Sequence, residues 1–391
     1  MVKISSKMSQ VSYEIRDIVT KAKQAEKKGM KMHWMNIGDP NKFDFLPPKH
    51  VRIAASEAAR SGKYSSYCSS PGDDELRAAV GKIEGVPSDN VFITSGLSEG
   101  IDFLFTALIE AGEEILLPNP TYPLYVSKAR VQGSKDVYYP SDENFIPIPE
   151  KLRKLVTPKT RAISVINPNN PTGATYPRKV LKEIADIAAE FKLPIIADEI
   201  YDQMTLEQEH SVNMRDVAGE DILLITGNGI SKNYLYPGAR VGYVAIRGPG
   251  SEELSSAVLK LCNARLSVNW EMQRAALAAF TGPKTHIIEV KRKLRERRDV
   301  LMQRFSEMDG AHCAKPTAAF YAFPKFEGTK FKTCRDFAYS LIEETGVVLV
   351  PGSAFSPHLD GIYARAVFLP KPDEINEAMG KLSLFLKKNR K

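Results

Sequence analysis

Mostly apolar short runs alternate with longer amphipathic segments through the middle of the chain, from about residue 90 to residue 245. The runs have the length and composition of buried strands and cover residues 91–94, 114–118, 135–139, 161–166, 194–197, 222–226 and 241–246. Among the segments between and after them, residues 98–110, 177–191 and 251–263 are predicted helices. Strands that alternate with helices in this way predict an α/β fold, in which helices cover both faces of a mostly parallel sheet.

The chain beyond residue 285 follows a different pattern, with a long helix predicted over residues 284–308 and short strands over 320–323, 347–350 and 365–369. The apolar face of this helix is marked by Ile287, Ile288, Leu294, Leu301 and Phe305. The helix also carries the basic run KRKLRERR at residues 291–298. We interpret the run as a solvated helix face and not as a nucleic-acid patch, because no aromatic residues interleave with the charges.

Length, cysteine content and charge narrow the class of protein. A chain of 391 residues with 43% hydrophobic residues is expected to form about two to three globular domains. The N-terminus has no apolar signal segment and the chain has no long apolar run, so we expect a cytoplasmic protein without a membrane span. The four cysteines lack disulfide spacing and the six histidines lack metal-site spacing, so we expect no metal. The net charge of +7 suits anionic substrates.

Lys232 stands in the segment GNGISKNYLYPGARVGY, residues 227–243, directly after a predicted buried strand. Small neighbours such as Gly227 and Gly229 would let a bulky ligand approach the backbone. A lysine that is shielded from water and lies near another cation, here Arg240, loses its proton more easily and can form a Schiff base with a carbonyl. Arg240 could also hold a phosphate with its planar guanidinium. The alternative is a surface loop, where most Ser-Lys pairs are found.

Two predicted strands upstream end in polar residues. Asp198 follows the apolar run 194–197 in PIIADEIYDQ, where a buried carboxylate needs a cation or a hydrogen-bond donor, and a protonated ring nitrogen is one such partner. The alternative for Asp198 is an N-cap of the next helix. Asn170, in INPNNPTG at residues 166–173, is predicted to project from the end of the strand 161–166, with an ordinary Asx turn as the alternative.

In order and spacing, these motifs resemble the class I aminotransferases, which are pyridoxal-phosphate enzymes of fold type I. The family order is also followed by IGDPNKFDFLPP, YCSSPGDDELR, TSGLSEGI, PNPTYPLY, AAFYAFP, VPGSAF and YARAVFLP, which together cover nearly the whole chain. The first and last of these are most similar to the alanine aminotransferase branch. The resemblance implies a large cofactor-binding domain at residues 41–285 and a smaller α+β domain formed by residues 1–40 and 286–391.

The resemblance also implies which residues bind pyridoxal phosphate. They are Tyr67, Leu97, Ser98, Tyr122, Asn170, Asp198, Tyr201, Ser231, Lys232 and Arg240. In the resembled family, the position of Asp198 keeps the pyridine nitrogen protonated, so that the ring can accept electrons. The positions of Tyr201 and Asn170 contact the phenolic oxygen, and that of Tyr122 stacks on the ring. A core tyrosine is the alternative for Tyr122.

The phosphate would be bound where Leu97 and Ser98 begin a helix, because a helix N-terminus attracts anions. Ser231 and Arg240 would complete this phosphate cup, and a plain N-cap is the alternative for Ser98. By resemblance, Tyr67 reaches the phosphate of a neighbouring subunit, which implies a homodimer.

The substrate residues implied by the resemblance are Gly38, Asn170 and Arg365. Arg365 lies on an apolar predicted strand, where a buried arginine needs an anion, and the family supplies the substrate α-carboxylate. Gly38 would give a backbone contact to the substrate, with a turn glycine as the alternative. The chain departs from many relatives at Gly229, where some have a phosphate-binding serine, and at Ala239, where tryptophan is frequent.

The resemblance implies ping-pong transamination between an L-amino acid and a 2-oxo acid, with Lys232 as the base that moves the substrate Cα proton. L-Alanine with 2-oxoglutarate is the expected pair, and aspartate transamination is the alternative. A pyridoxal-phosphate C–S lyase is the alternative enzyme class. An inactive or regulatory relative is disfavoured because Lys232, Asp198, Tyr201, Arg240 and Arg365 are all present.

Overall fold

The computed structural model describes residues 2–11, 14–208 and 210–391. The strands are β1 (His33–Trp34), β2 (Val91–Thr94), β3 (Glu114–Pro118), β4 (Lys135–Tyr139), β5 (Thr160–Ile166), β6 (Ile195–Asp198), β7 (Leu224–Gly229), β8 (Gly242–Arg247), β9 (Ala311–His312), β10 (Tyr321–Ala322), β11 (Lys325–Phe326), β12 (Val347–Val348), β13 (Val350–Pro351) and β14 (Ile362–Val367). The α-helices are α1 (Glu14–Lys27), α2 (Lys49–Ser61), α3 (Asp74–Glu84), α4 (Leu97–Leu108), α5 (Pro123–Gln132), α6 (Pro149–Arg153), α7 (Arg178–Phe191), α8 (Ser251–Arg265), α9 (Trp270–Thr281), α10 (His286–Ser306), α11 (Cys334–Thr345) and α12 (Pro372–Lys388).

The seven runs predicted as strands in the middle of the chain form one sheet, in the order β2-β8-β7-β6-β5-β3-β4. Only β8 runs against its neighbours β2 and β7, and the other pairings are parallel. The predicted, mostly parallel sheet is therefore confirmed. Ile166 of β5 pairs with Asp198 of β6, which pairs with Gly227 of β7, so the carboxyl ends of three central strands meet at one edge.

Helices cover both faces of this sheet, as predicted. One face packs against α4, α5 and α8, and the opposite face packs against α6 and α7. The sequence of α7 explains its side: Leu181, Ile184 and Ile187 recur at helical spacing and are buried. Each such side chain contributes about 1.5–3 kcal/mol when it leaves water.

A second, smaller sheet lies in the C-terminal part of the chain, with β14 at its centre. β10, β11 and β13 each pair with β14 in antiparallel fashion, and Arg365 of β14 lies opposite Val350. The N-terminal strand β1 joins this part through parallel pairing with β12. These pairings bring the segment around residue 38 close to the C-terminal sheet.

The helix α10 matches its predicted position, but our interpretation of its charged face is wrong in part. Ile288, predicted on the apolar face, is 72% exposed, whereas the basic residues Lys291, Arg297 and Arg298 are at most 7% exposed. The remaining predicted apolar positions are buried.

Each buried cation of α10 is paired with an acceptor in another segment. Arg298 Nη1 donates to Glu207 Oε1 at 2.5 Å, and Arg297 Nη2 donates to Asp44 Oδ1 at 2.6 Å. Lys291 Nζ donates to Thr205 Oγ1 at 3.2 Å. Paired cations can be buried, and therefore part of the basic run joins α10 to loops of the chain instead of facing water.

In residues 2–11, 14–208 and 210–391, no helix is long and apolar enough to cross a membrane. Within the same ranges, no group of three or more histidine, cysteine, aspartate or glutamate residues could hold a metal ion. Cys68, Cys262, Cys313 and Cys334 are all free thiols.

Candidate active site

Lys232 lies three residues beyond the end of β7 at Gly229, at the edge where the central strands end. Its Nζ donates a hydrogen bond of 2.8 Å to the Gly38 carbonyl oxygen. The same Nζ lies 5.6 Å from the centre of the Phe320 ring and 6.0 Å from that of Tyr201. The amine is therefore half-buried between aromatic rings and the N-terminal segment.

Asp198 is the last residue of β6 and is 7% exposed. A turn follows it and not a helix, so the N-cap alternative is wrong. Its Oδ2 accepts a hydrogen bond of 3.0 Å from the Tyr125 hydroxyl, and its Oδ1 accepts one of 3.2 Å from the Ile200 amide. Burial raises the pKa of Asp198 to about 6, although these two donors and the charge of Lys232 lower it. A nearby cation would favour its charged form.

Tyr201 lies in the turn after β6, and its side chain is buried. Its hydroxyl is 2.8 Å from the hydroxyl of Tyr321 on β10. Burial raises the pKa of Tyr201 well above its ordinary value, and the neighbouring Tyr321 and Tyr122 raise it further, whereas Arg365 lowers it. The Tyr201 hydroxyl therefore keeps its proton at neutral pH and can donate a hydrogen bond.

Arg240 lies near the start of α4, where Leu97 and Ser98 form the first turn. Its Nη2 donates to the Ser95 carbonyl at 3.3 Å, and a Cβ atom on Gly96 would lie 2.4 Å from that nitrogen. Arg240 has a φ of 52°, a left-handed conformation that non-glycine residues adopt at a cost of about 1–2 kcal/mol. The guanidinium is exposed and available to an anion at the helix N-terminus.

Glycines allow the first turn of α4 to pack on the sheet edge. A Cβ on Gly242 would lie 2.5 Å from the Leu97 amide nitrogen, and one on Gly227 would lie 2.4 Å from Leu97 Cδ1. Gly96, and not Ser98, is the N-cap of α4, so the N-cap alternative for Ser98 is wrong. The Ser98 side chain is therefore not committed to capping.

Gly229, where some relatives have a phosphate-binding serine, is a glycine for a steric reason. A Cβ at this position would lie 2.8 Å from both Gly242 Cα and the Val241 carbonyl oxygen. The serine found in some relatives would not fit unless β8 moved. Ser231, two residues later, is buried, and Ala239 is buried as well.

Arg365 is 3% exposed and has no carboxylate partner among the described residues. Its Nη1 donates to Asn170 Oδ1 at 2.9 Å and its Nη2 to the Asn36 carbonyl at 3.1 Å. Its guanidinium carbon lies 4.5 Å from the centre of the Tyr321 ring and 4.8 Å from that of Phe355. A buried cation that is held only by neutral groups is a site for an anion.

The predicted site residues differ in how closely the structure groups them. Lys232, Gly38 and Tyr201 lie together, and Asn170 contacts Arg365. The Asn170 Oδ1 accepts from Arg365, whereas the side-chain oxygen that accepts from a backbone amide of this loop is that of Asn169, from Thr172 at 3.3 Å. The Asx-turn alternative for Asn170 is therefore wrong. Tyr122, before α5, is close enough to Tyr201 to affect its pKa. By contrast, the side chain of Tyr67 is 78% exposed.

Sequence reasoning missed five residues at the site: Asn36, Tyr125, Phe320, Tyr321 and Phe355. Tyr125 and Tyr321 stand inside quoted motifs, PNPTYPLY and AAFYAFP, and Tyr125 is one helical turn beyond Tyr122. That spacing was the available signal for Tyr125. Asn36 contributes a backbone carbonyl, which has no signature in the side-chain sequence.

The arrangement fits pyridoxal phosphate at three points. The buried carboxyl of Asp198, with its raised pKa, matches a protonated ring nitrogen. The amine of Lys232 matches an aldehyde carbon, and the start of α4 with Arg240 matches a phosphate. The substrate carboxylate then matches Arg365, whose Nε has no hydrogen-bond partner in the described part of the chain.

Comparison with known proteins agrees with this geometry. Residues 31–380 match the family model for aminotransferase class I and II. Glutamate-pyruvate aminotransferase AlaA of Haemophilus influenzae is 34% identical, over 98% of this chain and 97% of its own. An alanine aminotransferase of Mycobacterium tuberculosis is 32% identical, over 98% of this chain and 92% of its own.

Solved structures show the same fold. Alanine aminotransferase from Pyrococcus furiosus superposes with a TM-score of 0.94 at 39% identity, covering 99% of this chain and all of that one (100%). Aspartate aminotransferase from Thermus thermophilus superposes with a TM-score of 0.88 at 27% identity, covering 98% of this chain and 100% of that one. The chain therefore belongs to the class I and II aminotransferases and is a pyridoxal-phosphate-dependent enzyme of fold type I.

Proposed function

We propose that the enzyme transfers the amino group between L-alanine and 2-oxoglutarate, giving pyruvate and L-glutamate. The observation that carries this proposal is the full-length similarity to a glutamate-pyruvate aminotransferase, at 34% identity over 98% of the chain. The site is compatible with a small apolar side chain, because the rings of Phe320 and Tyr201 face Lys232 and those of Tyr321 and Phe355 face Arg365. A second cation at the side-chain end of the pocket would suit a dicarboxylic substrate, but against the methyl group of alanine it would be buried without a partner, which is unfavourable.

We infer that Arg365 binds the substrate α-carboxylate through its planar guanidinium, with Asn170 and the Asn36 carbonyl holding the arginine in place. With the cofactor bound, Lys232 Nζ would take the proton from the substrate Cα and give it to the C4′ carbon of the cofactor, and the second half-reaction would run this proton transfer in reverse. The bound cofactor supplies a ring that accepts the electron pair of the Cα–H bond. Asp198, buried at the end of β6, keeps the ring nitrogen protonated.

The phosphate is proposed to bind at the first turn of α4, with Leu97 and Ser98 on one side and Ser231 and Arg240 on the other. The glycines that let this turn approach the sheet support the assignment, because they bring backbone amides close to β7 and β8. We also propose a homodimer in which Tyr67 reaches the phosphate of the partner subunit. The 78% exposure of this aromatic side chain in the isolated chain supports such a contact.

The dimer proposal is tested by measuring mass in solution together with cofactor affinity. Wild type should have the mass of two chains, and Tyr67→Phe should bind pyridoxal phosphate more weakly without dissociating. A monomeric wild type, or unchanged affinity in Tyr67→Phe, would exclude this role. Tyr339→Phe, which removes a hydroxyl on α11, is the matched control.

We further propose that residues 41–285 form the large domain and that residues 1–40 and 286–391 form the small one. Lys232 and Asp198 then belong to the large domain, and Gly38 and Arg365 belong to the small one, with substrate between them. A cytoplasmic location is also proposed, supported by the four free cysteines. Fractionation of cells that express the chain tests the location.

A panel of amino donors, each with 2-oxoglutarate or pyruvate as acceptor, tests the substrate. Alanine should saturate the enzyme at a much lower concentration than aspartate. The reverse order would favour aspartate transamination, which a 32% identical relative from Pyrococcus horikoshii makes the second candidate. Release of a thiol together with pyruvate from a cysteine conjugate, without amino transfer, would indicate a C–S lyase, and no turnover at all would indicate an inactive relative.

A further inference from the structure

Tyr321 on β10 contacts three parts of the site at once. Its hydroxyl is 2.8 Å from that of Tyr201, and its ring centre is 4.5 Å from the guanidinium carbon of Arg365. A Cβ atom on Gly38 would lie 2.6 Å from the Tyr321 hydroxyl, so the N-terminal segment is in van der Waals contact with it. The side chain is 2% exposed. These contacts therefore form inside the protein and not at its surface.

The number of protons on the two hydroxyls restricts their hydrogen bond. A tyrosine hydroxyl has one proton to donate and lone pairs to accept. If Tyr201 donated to Tyr321, it would have no proton left for the phenolic oxygen of the cofactor. Tyr201 can serve that oxygen only when Tyr321 is the donor in the pair. The orientation of the Tyr321 hydroxyl therefore decides where the Tyr201 proton points.

The ring of Tyr321 has a separate role. The Arg365 guanidinium is flanked by Tyr321 at 4.5 Å and by Phe355 at 4.8 Å. Such cation–π contacts fix the plane of a buried guanidinium without neutralising its charge. Arg365 thereby keeps its attraction for a carboxylate, which a carboxylate neighbour in the protein would have removed.

We propose that Tyr321 is a positioning residue with two tasks: its hydroxyl directs the Tyr201 proton to the cofactor's phenolic oxygen, and its ring orients Arg365 for the substrate carboxylate. The inference rests on the roles proposed above for Tyr201 and Arg365. The other charged or titratable groups that face the tyrosine pair are Tyr122 and Lys232. Tyr122 and Lys232 remain in every variant below, so a difference between a Tyr321 variant and wild type is caused by the change at Tyr321.

The hydroxyl is tested by the pH titration of the visible absorbance band of the holoenzyme. Tyr321→Phe keeps the ring but removes the hydroxyl that donates to Tyr201. The hydrogen bond from Tyr201 to the cofactor's phenolic oxygen is then weaker, so this oxygen is less stabilised in its deprotonated form. The midpoint should rise by roughly a few tenths of a pH unit, because cooperativity strengthens a hydrogen bond by about 10–30%. Tyr201→Phe should move it further in the same direction, and Tyr339→Phe on α11 should not move it.

The ring is tested with propionate, an unreactive monocarboxylate, as the probe of Arg365. Tyr321→Phe should bind propionate as wild type does, and Tyr321→Leu should bind it about 2- to 30-fold more weakly. Equal binding by the Phe and Leu variants would overturn the role of the ring. Thermal unfolding of each holoenzyme variant shows whether it is folded, and the Phe variant keeps the buried shape should the Leu variant unfold.

The outcomes separate this inference from the proposal on which it rests. An unchanged titration in Tyr201→Phe would overturn the role proposed for Tyr201 and, with it, the role of the Tyr321 hydroxyl. A shift in Tyr201→Phe without any shift in Tyr321→Phe would overturn the inference alone. A shift in both, with the smaller one in Tyr321→Phe, is the result that supports it.

Discussion

Replacing Asp198 with asparagine should make the cofactor-free protein more stable at neutral pH. The residue is 7% exposed, and burial raises its pKa to about 6 from an ordinary value of 3.8, against the opposing effects of Ile200, Tyr125 and Lys232. A rise of roughly 2 units, at about 1.4 kcal/mol each, corresponds to roughly 3 kcal/mol. Asparagine keeps an oxygen for the Ile200 amide and can donate to Tyr125, so the variant removes the charge with little change in shape.

The sign of the effect follows from proton binding. The folded carboxyl binds its proton more tightly than the unfolded one, so its favourable contribution is complete below about pH 4 and is lost as the pH rises through about 6. Wild type loses this part of its free energy of unfolding, and Asp198→Asn does not. The advantage of the variant should therefore grow by about 1–2 kcal/mol between pH 5 and pH 8.

Urea unfolding of the two apoproteins at both pH values measures this difference. Asp221→Asn makes the same chemical change at an exposed position and corrects for the charge lost from the whole chain. An advantage of Asp198→Asn that is equal at pH 5 and pH 8, or a variant that is less stable than wild type at pH 8, would refute the reasoning. Bound cofactor should reverse the order, because its protonated nitrogen would stabilise the charged carboxylate of wild type.

Three other changes test the site. Lys232→Ala should still bind pyridoxal phosphate but lose transamination, and borohydride should label Lys232 in the wild-type holoenzyme, as read by mass spectrometry; a label on another lysine would contradict the assignment. Arg365→Lys should lower kcat/KM about 10- to 100-fold for every amino donor, since it loses a charged hydrogen bond of the planar fork; a loss confined to aspartate and glutamate would place Arg365 at the side-chain end of the substrate. Tyr125→Phe should lower kcat about tenfold, because the Asp198 carboxylate loses a donor; steady-state rates that match wild type would exclude this role.

The sequence alone determined the order of the elements and the chemical types at the site. The strands of the central sheet were predicted because a buried strand is a local apolar run, and the helix α7 was predicted because its apolar residues repeat at helical spacing. Polar residues at strand ends, such as Asp198, also indicate a crevice at that edge of the sheet. Motif order then indicated the family, which the family model confirms.

Only the tertiary structure decided which distant groups meet. Tyr125 reaches Asp198 across 73 positions of the chain, and Arg365 reaches the Asn36 carbonyl across 329. The pattern of α10 likewise predicted that Arg298 is exposed to solvent, because a charged side chain without a partner prefers water. The partner that allows its burial, Glu207, comes from another segment of the chain. A local pattern indicates whether a residue prefers to be buried. Which residue it pairs with depends on the tertiary fold, which brings distant segments together. For that reason the partners of these side chains were not predicted.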